Sequence, residues 1–341
     1  MKIAVDAFGG DNAPDEVLKG ACAAALDFGA GIIFTGDEKR LRDRMSAIGL
    51  SHRNIEFAPA PRVIRVEDDP MDILKEEADS PSYPYSSMGK AFALCKSGEA
   101  DAVVSAGSTA ALVVGGTMIT GRIRGVKRPA LGPIMPSVNG YYILLDGGAN
   151  IECRPEMLYQ FAILGDIYMK LAMGIENPRV ALLNIGTEAE KGRELERLTH
   201  VKLSAAPLNF IGNIEAREPV LGGCDVLVTD GYTGNVYLKT VEGMGKFMSG
   251  TMKTMFTKNA ASKLGYLTVK KSVRAVTNSM DYREVGGSPL IGTAKPVIKA
   301  HGSSDARAFR NAVRQAMIFA EKGIIQEMTA ALAAKPQAAH D

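Results

Sequence analysis

Five short stretches place a carboxylate, amide or hydroxyl just ahead of a glycine turn. They are Asp6 with Gly9 and Gly10, Ser105 with Gly107, Ser108 and Thr109, Asp146 with Gly147 and Asn150, Asn184 with Gly186, Thr187 and Glu188, and Asp230 with Gly231 and Gly234. Glycine lets backbone N–H groups approach an anion, and a helix starting after such a turn adds the positive end of its dipole. The chemistry these residues can serve is the holding of an oxyanion such as phosphate. Any one of the turns also reads as an ordinary strand-to-helix connection; the set of five points to a site. None spells a nucleotide fingerprint: GxxxxGK[ST] is absent, and Gly9-Gly10 followed by Asp11 lacks the GxGxxG spacing. No cofactor is expected.

Two side chains beside these turns have the chemistry to stabilise a developing oxyanion or to hold phosphate: Lys191, a cation, and Asn235, an amide donor. Taken alone, the residues favour a surface lysine and a helix-capping asparagine. No GxSxG elbow occurs, and the four histidines sit in unlike contexts, so a nucleophilic triad is poorly supported. His301, with Gly302 and Ser303, opens a polar turn before a long helix expected from about 305 to 332. Substrate contact and simple helix capping by Ser303 or Ser304 both fit that turn.

The elements that must position these groups show in the apolar runs at 3–5, 32–35, 102–106, 141–146, 180–184 and 225–230, which read as buried parallel strands. Between them, residues 15–29 and 155–173 carry apolar side chains at helical spacing, the second with Pro155 in its first turn. The alternation predicts an α/β fold with a doubly wound, mostly parallel sheet, whose ligand site lies beyond the carboxyl ends of the strands. One domain is expected over 1–333 and a flexible tail over 334–341. The segment Pro61–Tyr85, acidic at Glu67, Asp68 and Asp69 and rich in proline, reads as an excursion from the sheet, a lid or a substrate loop.

Over 341 residues, 40 basic and 38 acidic side chains leave a net charge of +2, which gives no reason to expect nucleic acid as a partner. Cys22, Cys95, Cys153 and Cys224 form no CxxC pair, so no metal site is expected, and reduced thiols in a cytoplasmic protein are. Met1–Asp6 runs straight into a strand rather than a signal peptide, and no apolar run approaches the roughly 18 residues a membrane span needs. Residues 236–256 are unusual: Met244, Met248, Met252 and Met255 recur at helical spacing, with Phe247 and Phe256 beside them and lysines interspersed. Such a face suits lipid, acyl chains or a partner subunit, and equally a buried or dimer-forming helix.

Taken in order, the blocks Asp6-Ala-Phe-Gly-Gly-Asp-Asn-Ala-Pro, Ser105-Ala-Gly-Ser-Thr-Ala, Asp146-Gly-Gly-Ala-Asn, Asn184-Ile-Gly-Thr-Glu with Lys191-Gly192, Asp230-Gly-Tyr-Thr-Gly-Asn and His301-Gly-Ser-Ser resemble the bacterial phosphate acyltransferases across nearly the whole chain. Those enzymes convert acyl-acyl-carrier-protein and inorganic phosphate to acyl phosphate at the start of phospholipid synthesis. The resemblance implies a fold like the isocitrate and isopropylmalate dehydrogenases and the phosphotransacetylases, and a cytoplasmic homodimer attached peripherally to the inner face of the membrane. It implies catalytic roles for Lys191 and Asn235, substrate contacts from the glycine turns and His301 to Ser303, and a protruding helical hairpin at about 240–270 that touches the membrane. The implied partners are acyl carrier protein and, downstream, acyl-phosphate glycerol-3-phosphate acyltransferase. The expected mechanism is direct attack of phosphate on the thioester. A dehydrogenase of the related fold would need a metal-binding carboxylate cluster and a cofactor loop, neither of which is evident, and a non-catalytic membrane scaffold is the other alternative.

Overall fold

A computed structural model describes residues 1–333 apart from His52, Ala78, Asp79, Pro81, Tyr83, Met280 and Asp281. The tail expected over 334–341, and Pro81 of the proline-rich excursion, lie outside the described residues. The chain begins β1 (Lys2–Asp6), α1 (Asp15–Phe28), β2 (Gly31–Gly36), α2 (Glu38–Ala47) and β3 (Ile55–Pro59). It continues through α3 (Ser87–Ser97), β4 (Ala102–Ser105), α4 (Thr109–Met118), β5 (Ala130–Leu131), β6 (Ile134–Ser137), β7 (Gly140–Leu145) and α5 (Pro155–Met173). There follow β8 (Val180–Asn184), α6 (Glu194–Ser204), β9 (Phe210–Glu215), β10 (Val226–Val228), α7 (Gly231–Thr257) and α8 (Ala260–Ser279). The chain closes with β11 (Gly287–Ile291), β12 (Val297–Ala300), α9 (Ala306–Glu321) and α10 (Ile324–Ala333).

All six apolar runs form strands, and the α/β class with mostly parallel pairing holds. They divide, however, between two sheets rather than one. The first has the order β3-β2-β1-β4-β12-β11-β5 and the second β6-β7-β10-β8-β9. Among the named strands, the antiparallel pairs are β11 with β12 and with β5, and β6 with β7. The switch happens within a few residues: β5 joins the first sheet, Gly132 and Pro133 intervene, and β6 joins the second. Proline has no N–H to extend a ladder, so one strand cannot run through. One hydrophobic core nonetheless takes Val5 and Val104 from the first sheet, Ile143, Leu182 and Val226 from the second, and Phe161 from α5.

The long helix expected from about 305 to 332 is two helices, because Gly323 turns the chain in the left-handed region at φ +65° between α9 and α10. The excursion after Pro61 is packed rather than draped. Ile64 and Ile73 are buried in a cluster with Phe92 and Leu112, and the buried Glu76 carboxylate accepts from the Ser86 amide (3.0 Å) and hydroxyl (2.9 Å) at the start of α3. None of its described residues reaches the cleft described below.

The Met-rich segment belongs to α7, which is 27 residues long and buries only Gly231, Gly234, Tyr237 and Leu238. Beyond Leu238 it leaves the core and turns back as α8, with the rings of Phe256 and Tyr266 packed 5.1 Å apart. Met244, Phe247, Met248 and Met255 are exposed, while Met252 and Phe256 are half-buried.

Candidate active site

At the carboxyl end of β1, the buried Asp6 carboxylate accepts from the Ser105 hydroxyl (2.6 Å) at the end of β4, and that oxygen accepts in turn from the Gly107 amide (3.0 Å). Burial raises the Asp6 pKa, with Ser105 and Ser87 pulling it back. Gly9 lies against Asp6 and Gly107, and Gly10 lies over the Gly302 carbonyl, which accepts from the Asp11 amide at 2.8 Å. This bonding joins the first two glycine turns to the His301–Ser303 turn. Ser108 caps α4, its hydroxyl accepting from the Ala111 amide (3.4 Å), and Thr109 follows on the open side.

The second sheet builds a matching wall. Asp146, at the end of β7, is buried and takes five N–H donors: the amides of Leu131, Gly148, Ala149 and Asn150, and the Asn150 side chain, at 2.7–3.0 Å. Burial raises its pKa and these donors oppose the rise. The carboxylate therefore holds the 147–150 turn in one shape. The start of α7 rests directly on that turn: a Cβ at Gly234 would overlap the Asp146 carbonyl, and the Gly231 amide donates to the Asn150 carbonyl at 2.8 Å. Asp230 caps α7, accepting from the Thr233 amide and hydroxyl (2.8 Å each) and from Arg193 (2.6 Å). Burial works against its charge, but the Thr233 bonds and Arg193 outweigh it and lower the pKa.

Between the two walls opens a cleft of about 890 Å³. Gly147, Gly148 and Asn235 line one side, with Leu238 and Val241 continuing along α7 and Pro133 and Met135 adding apolar surface. Thr109, Lys299, His301, Gly302 and Ser303 line the other. Asn235 packs against Gly148, and its amide has no hydrogen-bond partner among the described residues. His301 Nδ1 lies 2.8 Å from the Ser303 hydroxyl. Burial lowers the His301 pKa; Glu242 opposes this, and Lys239, Lys299 and Lys246 add to it. Lysines 239, 246 and 299 make this an electropositive cleft, tempered by Glu242 and Asp305.

The turn after β8 stands apart from the lining residues. Asn184 closes it, donating to the Lys191 carbonyl (3.0 Å) and accepting from the Ile185 amide (2.8 Å), while the Asn213 side chain donates to the Glu188 carbonyl (2.6 Å). Gly186 lies beside Glu188 and the Lys191 stem, and Thr187, Glu188 and Lys191 are exposed. The loop is tied to the site through Arg193, two residues past Lys191, which binds Asp230 at the head of the helix carrying Asn235. The residue that reading by motif missed is Lys299. Its signal was a lone lysine in the apolar strand Val297-Ile298-Lys299-Ala300. Among the described residues no three His, Cys, Asp or Glu side chains cluster to hold a metal.

Comparison with known proteins agrees with this architecture. Residues 1–327 match the family described as "Fatty acid synthesis protein". A phosphate acyltransferase of Staphylococcus aureus (strain bovine RF122 / ET3-1) is 45% identical over 331 residues, 96% of this chain and 97% of that protein. A phosphotransacetylase from Streptococcus pyogenes has the same fold at a TM-score of 0.60 and 17% identity, over 94% of each chain. A 4-hydroxythreonine-4-phosphate dehydrogenase from Klebsiella pneumoniae matches at 0.51 and 12%, over 94% of this chain and 98% of that one.

Proposed function

The chain belongs to the phosphate acyltransferase family, whose members transfer acyl groups to phosphate in fatty acid and phospholipid synthesis, and from that premise we propose that its donor is the thioester of an acyl carrier protein. In this reading inorganic phosphate attacks the thioester carbonyl directly. An oxygen–carbon bond forms, a tetrahedral oxyanion follows, the carbon–sulfur bond breaks, and the thiolate leaves to be protonated from solvent. Phosphate is already anionic at neutral pH, so little acid–base catalysis is needed. The enzyme's work is to set phosphate against the carbonyl and to stabilise the oxyanion.

The observation that carries this reading is the cleft itself, where the Asn235 amide, without a partner among the described residues, and the Gly147–Gly148 turn stand across from cationic residues, with an apolar path along Leu238 and Val241 for the acyl chain. Lys191 and Asn235 are the proposed catalytic pair, sharing the Arg193–Asp230 anchor. The test is to incubate the protein with acyl-carrier-protein thioester and phosphate and to trap acyl phosphate with hydroxylamine. Hydroxamate above background is expected, and its absence would overturn the assignment.

The same reading makes the protein a homodimer that hands acyl phosphate to an acyl-phosphate glycerol-3-phosphate acyltransferase at the cytoplasmic face of the membrane. What supports peripheral contact is the exposed apolar face of the hairpin, Met244, Phe247, Met248 and Met255 on α7 with Leu264 and Leu267 on α8. No helix among the described residues is long and apolar enough to cross a membrane.

A further inference from the structure

A lysine inside a strand of a buried sheet is uncommon, because taking an ammonium out of water is costly unless it is paired or hydrogen-bonded. Lys299 occupies such a place. Its strand lies between β4 and β11, its neighbours Val297, Ile298 and Ala300 are fully buried, and the residue itself is only 8% exposed. Ser105 and Ser288 are its register partners. Nζ donates to the Ala106 carbonyl at 3.2 Å and the Ala300 carbonyl at 2.5 Å, and no carboxylate lies within ion-pair distance of it among the described residues. An ammonium has three N–H donors. Two are taken by the carbonyls, and one is left at a residue that lines the cleft.

We propose that Lys299 is the cation that seats the acceptor phosphate on the first-sheet wall of the cleft, with His301 and Ser303 beside it and the Asn235 wall left for the thioester carbonyl. The proposal rests on the acyl-to-phosphate reading above. Bridging two carbonyls needs donors but not a charge, since a neutral amine offers two N–H groups for the same bonds. Asp6 and Asp11 favour the charge from beyond ion-pair distance, and an anion in the cleft would give it the direct partner that no described carboxylate provides. Burial draws the Lys299 pKa down to about 8, with Asp6 and Asp11 opposing the fall and Lys239 adding to it. The group is thus mainly charged at neutral pH, and a bound phosphate would hold it so.

The test uses the full chain and two neutral variants, Lys299→Met and Lys299→Gln, the second keeping an amide donor for the carbonyls. Phosphate binding is measured by calorimetry with inorganic phosphate alone, and KM is measured separately for phosphate and for the thioester. A charged hydrogen bond is worth about 1.5–3 kcal/mol, so the phosphate Kd and KM should rise about 10- to 100-fold. The thioester KM should stay within about twofold, and Lys299→Arg should recover part of the phosphate affinity. A folded variant with unchanged phosphate Kd, or one losing both substrates equally, would overturn the proposal. Wild-type protein that binds phosphate through Lys299 but makes no acyl phosphate would leave the site standing and remove the acyl-transfer reading. Acyl phosphate formed by variants with unchanged phosphate constants would do the reverse.

Discussion

Asn235 and Lys299 divide the cleft chemically, one a neutral donor and the other a buried cation, and they should fail differently when altered. Asn235→Ala removes a donor whose amide has no partner among the described residues to lose, so the fold should survive and kcat should drop about 10²- to 10³-fold, the usual cost of one oxyanion donor. Rates measured at saturating phosphate and thioester check this, and a fall confined to KM would contradict it. Lys299 should appear in the pH profile of phosphate binding. Its folded pKa, about 8, lies below the ordinary lysine value of 10.5. The ammonium is therefore present below pH 8 and lost as pH rises through it, and phosphate affinity should weaken there. Around it stand Asp6, Asp11, Lys239 and His301, with Lys246, Glu242, Arg283 and Asp305 elsewhere in the cleft. Burial lowers the His301 pKa, which moves its titration away from that range. Calorimetry from pH 6.5 to 9.5 in wild type and Lys299→Arg separates the two cases, since arginine stays charged throughout. Asn235 was legible in the sequence because it stands five residues after Asp230 in a glycine turn. Lys299 was not, because a strand lysine between apolar residues has no motif, and its burial comes from β4 and β11, one of them almost 200 residues earlier.

At the scale of elements, the head of α7 is the joint on which the second wall depends. Gly234 packs directly on the Asp146 carbonyl, so Gly234→Ala forces helix and turn apart. Overpacking of this kind costs about 1–3 kcal/mol. A lowered denaturation midpoint accompanied by loss of activity is expected, and a variant of wild-type stability would show that the joint yields freely. The outer part of the same helix should behave in the opposite way. Met244 and Phe247 are 54% and 63% exposed, so the double variant Met244→Ser and Phe247→Ser should keep its stability while losing binding to anionic phospholipid vesicles. Vesicle flotation measures this, and unchanged partition would remove the hairpin as the contact. The return through α8 was expected from the family resemblance, whereas the apolar face of α7 was readable because methionine at helical spacing with flanking lysines is a local pattern. The strands were readable for the same reason, each being a short apolar run. Their division into two sheets was not, because the runs at 102–106 and 141–146 both read as short buried strands with nothing in either to assign its partners, and only Gly132 and Pro133 mark where pairing changes sheet. The break in the last helix had a local mark, Gly323, but glycine inside a helical pattern is often tolerated.

Across the whole molecule, charge is distributed less evenly than the net +2 suggests. From Gly243 to Ser279 there is no acidic residue, while Lys246, Lys253, Lys258, Lys263, Lys270, Lys271 and Arg274 supply seven positive charges, so the rest of the chain is net negative. The hairpin that carries them leaves the core at Leu238, on the same helix that lines the cleft with Asn235 and Lys239. An acidic carrier protein approaching the cleft would therefore meet this positive surface first, and exposed charges of this kind act mainly on encounter and are screened by salt. Raising ionic strength from about 0.05 to 0.5 M shortens the screening length from roughly 14 to 4 Å. Under that change the KM for carrier-bound thioester should rise severalfold, with membranes absent. A short pantetheine thioester with no carrier protein supplies the control, because it presents the same reacting carbonyl without the acidic surface. Its KM should change far less over the same range, after correction for any change in the phosphate KM. A flat response from the carrier substrate would mean that the hairpin's charge serves the lipid surface alone. Equal responses from both substrates would mean that salt acts inside the cleft, on Lys299 and its neighbours, rather than on docking.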